Sequence, residues 1–372
     1  MRPTYAEIDL GAIHHNLREI RKKIGVRPRI MAVVKANAYG HGMLEVTKSI
    51  LQEEAASYLG VAIVEEGITL RKNGVKAPIL VLTAAPEPQL DLFVKHRLEA
   101  TICSLTVARS LNRIAAGAGR KSIVHLKVDT GMGRIGISPR DTVEFVQRLR
   151  TLDHLTLEGI FTHFATSDEA NLAFARRQLS QFKSVIEGLS AAGIHIPMKH
   201  SANSGAILQL PESYFDVVRP GIMIYGYLPS RAMTTTLPLK PAMSLRSRIE
   251  FMKTVERGTS ISYGRRYTTA SKTKIGSVAI GYGDGYSRRL TNKATALVNG
   301  REYPVVGTIC MDQVMINVGL RSRCKAGDPV TLMGRDGTRE ISCWQIAEKL
   351  GTIPYEVFCS VTDRVPRKYI NG

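Results

Sequence analysis

Ala32-Val33-Val34-Lys35-Ala36-Asn37-Ala38-Tyr39-Gly40-His41-Gly42 ends a short apolar run in one lysine and passes into a small-residue, glycine-punctuated loop. Desolvation at the end of an apolar strand makes an ammonium costly to hold charged and easier to deprotonate. A partly desolvated lysine is a good nucleophile toward carbonyl groups. The same residue reads equally as a lysine snorkelling out of a strand end, so the surrounding pattern has to decide.

On either side of Lys35, short apolar runs alternate with helical patterns. Residues 30–34, 59–63, 78–83, 98–103, 123–128, 155–163, 195–200 and 216–220 predict eight strands. Leu172, Ala175, Leu179, Phe182, Ile186 and Leu189 recur at helical spacing and stop at Gly193, and a helix is expected from Ile8 onward through Ile13, Leu17, Ile20 and Ile24, with Asp9 as its cap. Repeated strand-helix units imply parallel strands with right-handed crossovers, and eight of them in roughly 230 residues suit an α/β fold of (β/α)8 TIM-type barrel architecture. An open doubly wound sheet is the alternative.

The pattern changes at Leu237-Pro238-Leu239-Lys240-Pro241, where two prolines discourage regular structure. The expected division is therefore 1–237 for the barrel and 238–372 for a mostly-β domain. In the second part, 244–254, 274–282 and 296–298 read as strands, the last joined to 303–309 across an Asn299-Gly300 hairpin turn. One helix is expected over 340–350, stopped by Gly351.

At 372 residues and 44% hydrophobic, the chain is long enough for a large core. Its early region lacks an uninterrupted apolar segment and no later window has the uncharged length of a membrane span, so secretion and membrane insertion are not expected. Five cysteines, odd in number and without a CxxC pair, support neither a disulfide framework nor a metal site, and a reducing cytoplasm fits them. The net charge of +19 raises nucleic-acid binding. The basic residues are scattered among acids and apolar positions, however, with no basic tail, which favours small anionic ligands instead.

In such a barrel, reactive groups collect at the C-terminal strand ends. Lys35 ends the first strand, Lys127 and Asp129 the fifth and His163 the sixth; His200, Asn203 and Ser204 follow the seventh, and Arg219 and Gly221 end the eighth. Any one of them has an ordinary structural explanation, such as Asn203-Ser204 capping a helix, but five strand ends agree. Glycine and serine after the last two strands also suit a phosphate, because backbone N–H groups can approach it closely.

AVVKANAYGHG, together with HLKVDTGMGRIGI, GIFTHFATSDE, HSANSGAIL, VVRPGIMIYG, ISYGRRY, GYGDGY, GTICMDQ and YEVFCSVTDRVPR, resembles the alanine racemases across nearly the whole chain. These are pyridoxal 5'-phosphate enzymes with a barrel and a C-terminal β domain. The resemblance implies that Lys35 holds the cofactor covalently and is one of two bases, with Tyr263 the second. A phenol near its reference pKa of about 10 is a weak base at neutral pH and needs neighbours that favour the phenolate. His163 and Arg219 would form that chain, and Arg219 would also face the pyridine nitrogen. Tyr39, Asn203, Ser204, Gly221, Ile222 and Tyr355 match cofactor contacts. Arg134 matches the partner of the cofactor phenolic oxygen and of the substrate carboxylate, and Met311, Asp312 and Tyr282 match the substrate wall. Lys127 matches a lysine that is carbamylated in many relatives. The implied assembly is a homodimer with shared sites, making D-alanine from L-alanine for peptidoglycan. Broader-specificity amino-acid (serine) racemisation and PLP-dependent decarboxylation are the alternatives.

Overall fold

The computed structural model describes residues 3–84 and 87–372. Two compact units divide the chain: one comprises Ile13–Ala38 and Met43–Lys240, the other the residues up to Ala12, Tyr39–Gly42 and Pro241–Gly372.

Strand β1 (Tyr5–Asp9) opens the chain and leads into helix α1 (Leu10–Ile24). In the first unit, β2 (Arg29–Val33), β3 (Tyr58–Val61), β4 (Ile79–Ala84), β5 (Glu99–Ile102), β6 (Ser122–Lys127), β7 (Leu155–Phe161) and β8 (Met198–His200) pair in parallel in chain order. The eighth strand, β9 (Val217–Val218), pairs with β2, and the Asp216 N–H to Lys199 O (3.0 Å) and Arg219 N–H to Ala202 O (2.9 Å) bonds bring it against β8. The ring is thereby closed, and the doubly wound alternative is excluded. Met31, Tyr58, Leu80, Met198 and Val217, from five different strands, form a buried cluster with Leu82 packed on it. The expected helix at 172–189 is Ala173–Ala191, and Gly193 beyond it has φ +68°.

The second unit is built on β10 (Met243–Val255), the short hairpin β11 (Ser260–Ile261) and β12 (Tyr267–Thr268), β13 (Thr273–Val278), β14 (Thr295–Val298), β15 (Arg301–Val306), β16 (Val314–Asn317), β17 (Pro329–Asp336), β18 (Arg339–Ile341) and β19 (Arg367–Ile370). β10, β13, β16, β15, β14 and β17 pair antiparallel in that order, and β17 pairs back onto β10, so this sheet also closes on itself. Asn299 and Gly300, both at positive φ, make the expected two-residue turn between β14 and β15.

Three expectations are corrected here. Ile8 is not helical: β1 pairs antiparallel with β10, Ile8 opposite Met243, and parallel with β19. The chain's first residues therefore belong with the β unit rather than with the barrel. Asp9 nevertheless caps the helix as expected, its Oδ1 accepting from Ala12 N–H at 3.0 Å. Glu340 lies in β18, and the helix starts at Cys343 because the Ser342 and Gln345 side chains cap its first turn. The stretch 279–282 leaves the strand ending at Val278 and turns into a short 3-10 segment, Tyr282–Asp284. Among the described residues, no helix is long and apolar enough to cross a membrane.

Candidate active site

Lys35 stands two residues past β2, partly exposed at the C-terminal end of the barrel strands. The chain after it does not form an ordinary loop. Ala36, Asn37, Ala38 and Tyr39 all have φ of 52–53°, a left-handed turn that costs non-glycine residues about 1–2 kcal/mol each. Hydrogen bonds hold it in place. The Glu66 carboxylate accepts from Ala36 N–H (2.6 Å), Ala62 N–H (2.7 Å) and Ile63 N–H (3.3 Å), and Asn37 Oδ1 accepts from Met43 N–H (2.8 Å).

Arg219, 3% exposed, lies at the centre of the polar groups on the same end of the barrel. Its Nη1 donates to His200 Nδ1 (2.7 Å), and its Nη2 to Thr162 O (2.8 Å) and Ser201 O (2.9 Å), with His163 Nδ1 at 3.4 Å. Burial pushes the guanidinium down to about 9, so it remains a cation at neutral pH. Burial, followed by Lys127, Arg219, Arg134 and Lys35, holds His163 well below the usual imidazole range. Lys127 is 3% exposed, its Nζ 4.3 Å from the centre of the Phe161 ring. Burial first, then Arg219 and Arg134, pushes its amine far down. Arg134 itself is exposed, on a loop organised by Asp129, whose Oδ1 accepts from Gly131 N–H (3.0 Å) and Gly133 N–H (3.1 Å). The barrel thus brings Lys35, Lys127, Arg134 and Arg219 within electrostatic reach of His163.

A second row of polar residues runs from Arg219 into the barrel. His200 Nε2 is 3.0 Å from His125 Nδ1, and His125 Nε2 is 2.9 Å from Glu99 Oε2. Tyr58 Oη is 3.2 Å from the same Nε2. His200 also stacks on Phe161, ring centroids 4.7 Å apart and nearly parallel. His200 was visible in the sequence as a strand-end residue, whereas His125 and Glu99 were missed. Their signal is a histidine among the central apolar residues of SIVHLK and a glutamate opening EATI.

Ser204 and Gly221 lie a few residues beyond the last two barrel strands, Ser204 as the first residue of the helix Ser204–Gln209. Gly221 N–H donates to Ser204 Oγ at 2.9 Å, which leaves the serine's own proton to donate elsewhere. Ile222 opens a 3-10 turn, Ile222–Tyr225. Asn203 is a helix cap, its Oδ1 accepting from Ala206 N–H (3.0 Å) and Ser167 Oγ–H (2.7 Å).

The remaining expected residues belong to the β unit. Tyr39 and Tyr355 have ring centroids 5.8 Å apart. Tyr263, 71% exposed, sits between β11 and β12, its carbonyl accepting from Thr308 Oγ1–H at 2.6 Å. The chain after Thr308 continues to Cys310 and Met311, whose carbonyls accept from Tyr282 N–H (3.0 Å) and Gly283 N–H (2.9 Å). Tyr263, Tyr282 and Met311 are all exposed large side chains. Asp312 Oδ1 accepts from Arg364 Nη2 at 2.6 Å, a partner that the sequence did not suggest.

Comparison with known proteins supplies two family matches, to the alanine racemase N-terminal domain over residues 8–229 and to its C-terminal domain over residues 242–369. An alanine racemase from Halothermothrix orenii is 45% identical over 370 residues, covering all of this chain and 97% of that protein. The solved alanine racemase of Clostridium difficile 630 superposes with a TM-score of 0.95 at 42% identity, over all of this chain and 96% of that one. A histidine racemase from Leuconostoc mesenteroides subsp. sake superposes with a TM-score of 0.92 at 30% identity, over 99% and 98%.

Proposed function

The chain belongs to the alanine racemase family, and from that premise we propose that it interconverts L- and D-alanine with pyridoxal 5'-phosphate as cofactor, supplying D-alanine for peptidoglycan. The observation that carries this reading is the buried Arg219 at the strand ends, beside His163 and on the same end of the barrel as Lys35.

The residues suit the cofactor. A guanidinium has five N–H donors; His200, Thr162 O and Ser201 O take three of them, leaving donors for an unprotonated ring nitrogen. In the barrel unit, Ser204 Oγ–H, its oxygen held by the Gly221 N–H, and the backbone at Ile222 suit a phosphate; in the β unit, the hydroxyls of Tyr39 and Tyr355 are also groups of the kind that bind one. Asn203 serves by capping the helix that presents Ser204. Pyridoxal phosphate, when bound, supplies a conjugated electron-withdrawing ring that acidifies the Cα–H of an amino acid joined to it.

Lys35 is assigned as covalent anchor and as the base that takes or returns the Cα proton on one face. Tyr263 is assigned the other face, contributed with Met311 and Asp312 by a second copy of the chain. The wide exposure of Tyr263 and Met311 supports a role completed in a homodimer. His163 and Arg219 would favour the phenolate. Arg219, a fixed cation that does not yield its proton, limits how far negative charge at Cα spreads, which favours return of the proton there. Arg134 would take the substrate carboxylate. Tyr282, Tyr355 and Met311 add bulk suited to a small side chain.

Because a histidine racemase shares the architecture, the test offers the purified protein L-alanine, L-serine and L-histidine and follows each D-enantiomer by chiral chromatography. D-alanine is expected to form fastest. D-histidine or D-serine in excess would move the assignment to another racemase, and release of CO2 would move it to a decarboxylase.

A further inference from the structure

Arg219 buries a positive charge among neutral partners: His200, His163 and the two carbonyls of Thr162 and Ser201. The row of side chains behind it leads to a carboxylate. Its direction follows from donor logic alone. Every guanidinium nitrogen carries hydrogen, so His200 Nδ1, 2.7 Å from Arg219 Nη1, must accept. The proton of His200 is therefore on Nε2, which faces His125 Nδ1 at 3.0 Å and must donate to it. His125 in turn keeps its proton on Nε2, which donates to Glu99 Oε2 at 2.9 Å, with Tyr58 Oη taking a weaker share at 3.2 Å. Both imidazoles are thereby neutral, and neither has room for a second proton. A cation stands at one end of the row and a carboxylate at the other.

We propose that Glu99, acting through the imidazoles of His125 and His200, is the distant counter-charge of Arg219, and that this polarised row fixes the guanidinium as a permanent donor at the strand ends. The barrel is shaped for it. Gly159 on β7 stands opposite His125 on β6, where a Cβ would collide with the imidazole. Phe161 supports His200 from one side. Glu99, His125 and His200 are buried, so their hydrogen bonds are not exchanged for water. Glu99 and His125 are positioning residues: they act through Arg219.

The test has two arms. Neutron diffraction of the wild-type protein in D2O is expected to show deuterium on Nε2 of His200 and of His125, none on either Nδ1, and none on Glu99. Deuterium on either Nδ1, or on the Glu99 carboxyl, overturns the proposal. The second arm rests on the racemase reading. Glu99→Gln keeps an acceptor oxygen and removes the charge, so kcat should fall by about tenfold or more while KM stays within about twofold. A wild-type kcat in a folded Glu99→Gln enzyme overturns the proposal as well. If the wild-type protein does not racemise alanine, the functional reading fails, and the neutron result still decides the row.

Discussion

At Lys127 the barrel buries an amine within the field of two guanidinium groups, those of Arg219 and Arg134, and so favours its neutral form. A neutral amine is the form that adds to CO2, giving a carbamate anion and releasing one proton. The product would exchange a disfavoured cation for an anion facing two arginines. Protein equilibrated with 13C-bicarbonate is expected to show one carbamate resonance that is absent from Lys127→Ala; no difference between the two would remove Lys127 from this role. The histidines carry a second consequence. Burial first, with the Arg219 guanidinium adding to it, holds His163 and His200 well below the ordinary imidazole value. Unfolded imidazoles titrate near about 6.5, so below that pH the unfolded chain binds protons that the native chain refuses. Native stability is full above about pH 6.5 and falls on acidification by up to about 1.4 kcal/mol per pH unit for each ring. Urea unfolding at pH 7, 6 and 5 checks this, and a flat profile would contradict it. Lys35, His163 and Arg219 were legible in the sequence because they interrupt apolar runs at strand ends. His125 and Glu99 were not, because a polar residue within a strand shows neither which way it points nor what it meets.

Among the elements, the barrel strands were legible because parallel strands covered on both faces read as continuous apolar runs. β1 was not, since its partners on β10 and β19 lie more than two hundred residues away and its apolar residues run on into a helical spacing. The left-handed turn after Lys35 was hidden for the opposite reason: local preference opposes it, and Glu66, from the next strand-helix unit, stabilises it. Glu66→Ala should therefore lower stability by about 1–3 kcal/mol through loss of the carboxylate's hydrogen bonds. The turn that orients Lys35 should loosen with it. Urea denaturation gives the first quantity, and amide exchange at Ala36 the second. A wild-type unfolding midpoint would mean that Glu66 does not hold the turn.

At the scale of the whole molecule, the sequence marked a boundary near Pro238–Pro241 but could not show that the first strand crosses into the β unit. Nor does a sequence show which copy of a chain supplies Tyr263. Mixing provides a test: Lys35→Ala and Tyr263→Ala proteins are each expected to be inactive, and a refolded mixture should regain activity at one site per mixed dimer. No recovery despite confirmed mixing would place both residues in one copy. The central claim is that two bases, Lys35 and Tyr263, serve opposite faces of the substrate Cα. Incubating L- and D-alanine separately in D2O with the wild-type protein and with Tyr263→Phe tests it most directly, with Cα deuterium read by mass spectrometry and configuration by chiral chromatography. The wild type should deuterate and racemise both enantiomers, whereas Tyr263→Phe should exchange the Cα proton of only one enantiomer and racemise neither. Racemisation by Tyr263→Phe at the wild-type rate would contradict the account.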